Sequence, residues 1–335
     1  MDHWSRRQFV QGVGVAGLAL AAGCGRLPWQ THQPAKVPQI GFLLARPLSA
    51  PPDYLQPFRR GLHDLGYVEG QNIDIEVRSA DGESERLPTL AAELVHLQVD
   101  VIVTGSVPAT QAAQQATQTI PIVMGVVVDP VATGLAASLA RPGGNITGLS
   151  RMGPVVAAKQ LELLKETVPG LSHVAVLWNP TNPGRTPELR EVEVAAGALG
   201  VRLQAVEVRG PTALDGAFAA MTKEQADGVM VPSDFVLLDL RTTIIDLAAK
   251  NRLPAVYGQR DYVDSGGLMS YAANVSDMYR RAAYYVDRIL KGAKPADLPI
   301  EQPREFEFVI NLKTAQALGL TIPQQVLLQA TEVIQ

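Results

Sequence analysis

From Gln39 onward, short continuous apolar runs alternate with longer stretches whose apolar residues fall on one helical face. The short runs cover 40–44, 73–78, 99–104, 122–127 and 145–149, and a second series covers 174–178, 202–208, 228–231, 255–257 and 268–270. They are rich in β-branched residues and bounded by Gly, Pro or Asn, the pattern of strands buried on both faces of a parallel sheet. Between them, amphipathic stretches at 57–65, 85–97, 109–117, 155–167 and 186–199 predict helices. These stop at or near Gly66, Pro121, Pro169-Gly170 and Gly200, residues that supply a left-handed cap or block propagation. Strand–helix alternation of this kind implies right-handed βαβ units. Because the element order occurs twice, the expectation is an α/β protein of two doubly wound parallel-sheet lobes that enclose a hinged cleft.

In such sheets ligands sit where loops leave the carboxyl ends of the strands. Arg46 follows the first expected strand and Ser106 the third, Gly125 and Val126 end the fourth, and Asn179, Asn182, Asp234 and Tyr257 occupy the equivalent places in the second half. Hydroxyls, amides, glycine and few charges suit a small polar ligand held by hydrogen bonds. Each residue also has an ordinary role open to it. Ser106 and Asp234 are good helix caps (Asp234 for an expected helix over 236–249), Asn179 and Asn182 flank prolines in a turn, and Tyr257 fits a core.

A case for catalysis does not emerge. Among the five histidines, His3 and His32 lie near the N-terminus, His63 and His96 fall on expected helices, and His173 leads into a strand. No pair has metal-ligand spacing, no Gly-x-Ser-x-Gly elbow is present, and no metal or cofactor is expected. The 335 residues are 47% hydrophobic and 19% charged with a net charge of −4, an ordinary globular balance with length for a real core. Without a basic block, nucleic acid is not an expected partner.

Cys24, the single cysteine, changes the picture. Arg6-Arg7 precede an apolar run from Gly12 to Ala22, and Gly23-Cys24 ends it: a charged n-region, an h-region and a small-residue cleavage site. The paired arginines match a twin-arginine export signal, and Cys24 is placed to receive lipid as a mature N-terminus. Ala21 stands where the lipoprotein pattern more often has Leu. Residues 1–23 are therefore expected to be a signal, 24–38 a Pro-containing tether, and the mature chain periplasmic or otherwise extracytoplasmic, anchored through Cys24. Gly12-x-Gly14-x-x-Gly17 matches a dinucleotide fingerprint, but it follows a basic stretch instead of a strand and lacks an acidic residue about 20 positions on.

Three long segments are distinctive: Asp129-Pro-Val-Ala-Thr-Gly through Arg141-Pro-Gly-Gly-Asn145-Ile-Thr-Gly; Gly266-Gly-Leu-Met-Ser-Tyr271 with Ile289-Leu-Lys-Gly292; and Phe308-Val-Ile-Asn-Leu312 with Ala317-Leu-Gly-Leu320 and Ile322-Pro323. From about residue 38 to the end the chain resembles the ABC transporter substrate-binding family that includes tryptophan- and tyrosine-type uptake receptors. The resemblance implies a type I periplasmic-binding-protein fold, with one lobe of 38–150 plus 272–303 and another of 151–271 plus 304–335. It also implies a monomer that binds a small molecule, an amino acid or related carboxylate, and delivers it to an ABC permease. By loop position it points to Ser106, Gly125, Val126, Asn179, Asn182 and Asp234 as ligand contacts. A sensory receptor using the same cleft, or an extracytoplasmic enzyme, is the alternative.

Overall fold

The computed structural model describes residues 36–48 and 53–335; Cys24, the export signal and all but the last residues of the tether lie outside them. The first sheet contains β1 (Gln39–Leu44), β2 (Asp74–Ser79), β3 (Val101–Thr104), β4 (Ile122–Val127) and β5 (Ile146–Ser150). They lie in the order β2-β1-β3-β4-β5 and all neighbours are parallel. β3, β4 and β5 are buried along their whole length, as strands covered on both faces of a parallel sheet are.

The second sheet contains β6 (His173–Trp178), β7 (Arg202–Glu207), β8 (Gly228–Val231), β9 (Ala255–Tyr257), β10 (Met269–Ala272), β11 (Glu307–Asn311) and β12 (Glu332–Ile334). Its order is β12-β11-β10-β9-β8-β6-β7. The five strands from β7 to β10 repeat the order of the first sheet. β11 then pairs antiparallel with β10 and carries β12 at the edge.

Helices flank both sheets: α1 (Leu55–Asp64), α2 (Leu87–His96), α3 (Val107–Ala116), α4 (Gly153–Thr167), α5 (Arg185–Leu199), α6 (Leu214–Lys223), α7 (Phe235–Asp239), α8 (Arg241–Lys250), α9 (Arg260–Asp264) and α10 (Val275–Leu290). Two short helices, α11 (Leu312–Ala317) and α12 (Gln324–Leu327), complete the second lobe. Each sheet separates two apolar clusters, one per face. α10 follows the second sheet in sequence but packs in the first lobe, where Tyr279, Ala282, Ala283 and Val286 join Phe42 and Phe58 in the core.

The chain passes between the lobes at three places: after β5, between β10 and α10, and before β11. Two of these crossings are tied together, since the Ser150 amide donates to the Glu301 carbonyl at 2.9 Å and the Glu301 amide to the Gly148 carbonyl at 3.0 Å. Among the described residues no helix is long and apolar enough to cross a membrane.

Candidate functional site

A strand order that runs 2-1-3 leaves a crevice at its switch point, because the helices on either side of it go to opposite faces. The first lobe has that point between β1 and β3, the second between β6 and β8. The two crevices face each other, and a cavity of about 360 Å³, its mouth included, lies between them. Gly105, Ser106, Val107, Val126 and Val128 line it from the first lobe, Asn182, Arg185, Ser233, Asp234, Phe235 and Gln259 from the second, and Arg151 and Val275 from the crossings.

Three helix starts converge here. Ser106 caps α3, its Oγ accepting from the Ala109 amide at 3.3 Å. Asp234 caps α7, its Oδ1 accepting from the Val236 and Leu237 amides at 2.9 and 3.4 Å. The same carboxylate accepts from Asn179 Nδ2 at 3.3 Å and from Asn182 Nδ2 at 2.8 Å, so one buried acid fastens the β6 loop to the β8 loop. Arg185 is the first residue of α5 and donates to Glu188 one turn on. Gly184 lets this loop approach α3, since a Cβ there would stand 2.9 Å from Val107 Cγ2.

Arg151 completes the polar part. Its Nη2 donates to the Ser233 carbonyl at 2.7 Å and lies 3.9 Å from Glu188 Oε1. Burial above all, and then the neighbouring Arg185 charge, lower its pKa to about 10. The cavity is therefore a desolvated place with two guanidiniums, a carboxylate held by amides, and apolar walls of valine and phenylalanine. Among the described residues no three acidic, His or Cys side chains gather as a metal site would require.

Ser106, Val126, Asn182 and Asp234 line this cavity, while Asn179 sits behind it on Asp234. Ser106 and Asp234 both cap a helix and line the cleft, so their two open roles coincide. Gly125 and Tyr257 are not in the lining. The space a Gly125 side chain would fill is taken by the Tyr279 ring, 2.7 Å from where a Cβ would stand, and Tyr257 is a core residue stacked on Tyr262 at 4.5 Å.

Arg46 lies outside the lining as well and joins the two lobes beside the cavity. It donates to Asp239 at the end of α7 at 2.5 Å, with its guanidinium 5.8 Å from the ring centroids of both Tyr54 and Phe235. Tyr54 adds further links, its hydroxyl accepting from Gln259 Nε2 at 2.8 Å and donating to Asp261 at 3.4 Å. These contacts hold the lobes together, so Asp239→Asn should favour the open form. The expected result is about tenfold weaker ligand binding with a larger radius of gyration in X-ray scattering of the free protein, within the usual range of coupling between conformation and binding.

Asp261 gives this junction a pH dependence. Burial chiefly raises its carboxyl above the ordinary 3.8, so the folded protein holds that proton more readily than the unfolded chain. Its contribution to stability is greatest in acid and shrinks as pH rises from 3.8 through the raised value. Asp261→Asn should flatten that part of the stability–pH curve, with unchanged or higher stability at neutral pH, in urea melts across roughly pH 3–8.

This geometry defines a two-lobed cleft binder. A family model described as ABC transporter substrate binding protein matches residues 52–334, and the chain belongs to that family. A tyrosine-binding protein of Clostridioides difficile strain R20291 is 27% identical over 263 residues, 78% of this chain and 75% of the relative. The ABC domain from Streptococcus pneumoniae in complex with L-Trp superposes with a TM-score of 0.81 at 29% identity, over 89% of this chain and 99% of that one. A conserved domain protein from Vibrio cholerae O1 biovar El Tor strain N16961 gives a TM-score of 0.83 at 28% identity, over 89% of this chain and all of that one. The family is one of substrate-binding proteins, not of enzymes.

Among the lining residues that strand-end reasoning missed are Arg151, Arg185, Phe235 and Gln259. One signal for Arg185 was available. An arginine at the first position of a helix opposes the helix dipole, and a residue kept there needs another reason.

Proposed function

We propose that this protein is the extracytoplasmic receptor of an ABC uptake transporter and that it closes on a zwitterionic amino acid, aromatic ones being the first candidates. The carrying observation is the cavity between the two switch points, which offers cationic groups and a carboxylate within one desolvated space. In this reading Asp234 takes the ammonium group through the Oδ2 lone pair that Asn182 leaves over. Positive charge near the start of α3 takes the carboxylate, as helix N-termini favour anions. The apolar side chain lies against Val126, Val275 and Phe235. The relatives' names support the ligand class, since one is called tyrosine-binding and another was solved with L-Trp.

Ligand contacts with both lobes favour the closed form, and the closed surface docks on the permease. The hinge lies at the three crossings, dividing the chain into 38–150 with 272–303 and 151–271 with 304–335. The receptor acts as a monomer anchored through a lipid on Cys24. A thermal-shift titration of residues 38–335 with L-tyrosine, L-tryptophan and other amino acids tests the ligand. At about 100 times the dissociation constant a bound ligand adds about 2.7 kcal/mol of stability, a shift of several degrees. No shift with any amino acid would overturn the amino-acid assignment.

A further inference from the structure

We infer that Arg185 is the residue that holds the ligand's carboxylate, an assignment that rests on the amino-acid reading above. Arg185 is 2% exposed and lines the cavity, and its buried Nε–H has no acceptor among the described residues. A guanidinium carries five N–H donors in a planar fork, and a charged donor enclosed without an acceptor is costly enough that native proteins rarely leave one.

The groups around it are already engaged with one another. Arg185 and Arg151 both face Glu188, Arg185 by direct donation and Arg151 across 3.9 Å. Asp234, the carboxylate in the cavity lining, accepts from Asn179, Asn182 and two backbone amides. Both arginines face Glu188 while the Arg185 Nε–H still lacks an acceptor, and a ligand carboxylate would supply it. Its place is set by the neighbours. The loop that delivers Arg185 abuts Val107 through Gly184, and Arg185 lines the same cavity as Ser106 and Val107 at the start of α3. There Pro108 has no N–H, and the Ala109 amide is already capped by Ser106, which leaves the Val107 amide and the Ser106 hydroxyl proton to add to the arginine fork.

The test compares each amino acid with the amine that lacks only the carboxylate, L-tyrosine with tyramine and L-tryptophan with tryptamine, by calorimetry on the full chain. The wild type should prefer the amino acid by about 100-fold, the scale of a buried charged pair. Arg185→Gln should weaken amino-acid binding by about 100-fold and leave amine binding within about threefold, so the preference collapses, while Arg185→Lys restores part of it. Because Arg185→Gln also strands Glu188, the double variant Arg185→Gln with Glu188→Gln is measured alongside and should show the same collapse. A preference retained in both variants, or an equal loss for amine and amino acid, would overturn the assignment. A wild type that binds neither amino acid fails at the earlier step, and the receptor's ligand class falls together with the role given to Arg185.

Discussion

Asp234→Ala is expected to destabilise the protein by about 2–5 kcal/mol and to weaken amino-acid binding beyond measurement. The two effects have separable origins. Truncation removes the cap of α7, worth about 1 kcal/mol, and strands the buried Asn179 amide at about 1–3 kcal/mol, while the half-buried Asn182 amide can turn to water at lower cost. It also removes the charge proposed to meet the ligand ammonium. Asp234→Asn separates these contributions. Its oxygen still caps the helix, while its amide meets the Asn182 donor, so a loss of about 1 kcal/mol is expected in urea melts. Affinity for L-tyrosine or L-tryptophan should nevertheless fall about 100-fold by calorimetry. An asparagine variant that keeps full affinity would remove Asp234 from the ligand and leave it only as the fastener of two loops.

The strand frame was legible because each buried strand is a short β-branched run closed by turn residues, and the order of those runs matches both sheets. Elements without that signature escaped. β12 is three residues at a sheet edge with little burial, too short for any period to register. β11 follows a polar crossing and runs antiparallel, which a reading based on βαβ alternation does not anticipate. The single helix expected over 236–249 is two, α7 and α8, broken at Leu240, where neither glycine nor proline marks the break.

The site was legible where the rule about strand ends applies and obscure where residues reach the cavity by another route. Ser106, Asn182 and Asp234 were found because the loops after β3, β6 and β8 open at the switch points, and Val126 because it stands at the carboxyl end of β4. Arg151 belongs to a crossing between lobes, and its place depends on tertiary geometry that no local pattern encodes. Tyr257 ends a strand too, but its ring turns away to stack on Tyr262, and burial raises its hydroxyl pKa strongly. Arg46 was placed at the cleft by its strand end, and it reaches across to Asp239 because the closed lobes bring α7 against the β1 loop.

Truncating Tyr279, a fully buried aromatic beside the cavity, is expected to have a large effect on stability. Its ring fills the space above Gly105 and Gly125, stacks on Tyr54 at 5.3 Å and lies 5.8 Å from Phe42. Tyr279→Ala should cost about 3–5 kcal/mol, the usual range for emptying a large aromatic site. The hydroxyl is a different matter, since it is buried with no partner among the described residues. Tyr279→Phe should therefore be neutral or stabilising, because it removes a polar group that burial leaves unpaired. That hydroxyl is also what forbids a side chain at residue 105: a Cβ on Gly105 would meet the Tyr279 oxygen, whereas the ring carbon behind it stands 3.1 Å away. Gly105→Ala alone should cost about 1–3 kcal/mol and disturb the adjoining Ser106 cap. In the Tyr279→Phe background most of that cost should vanish, a coupling readable in a double-mutant cycle of urea melts. Additive costs would mean that the backbone, and not the tyrosine oxygen, excludes a side chain there. Recovery of both stability and ligand binding in the double variant would place Tyr279 as the residue that sets the position of the α3 start on the cavity.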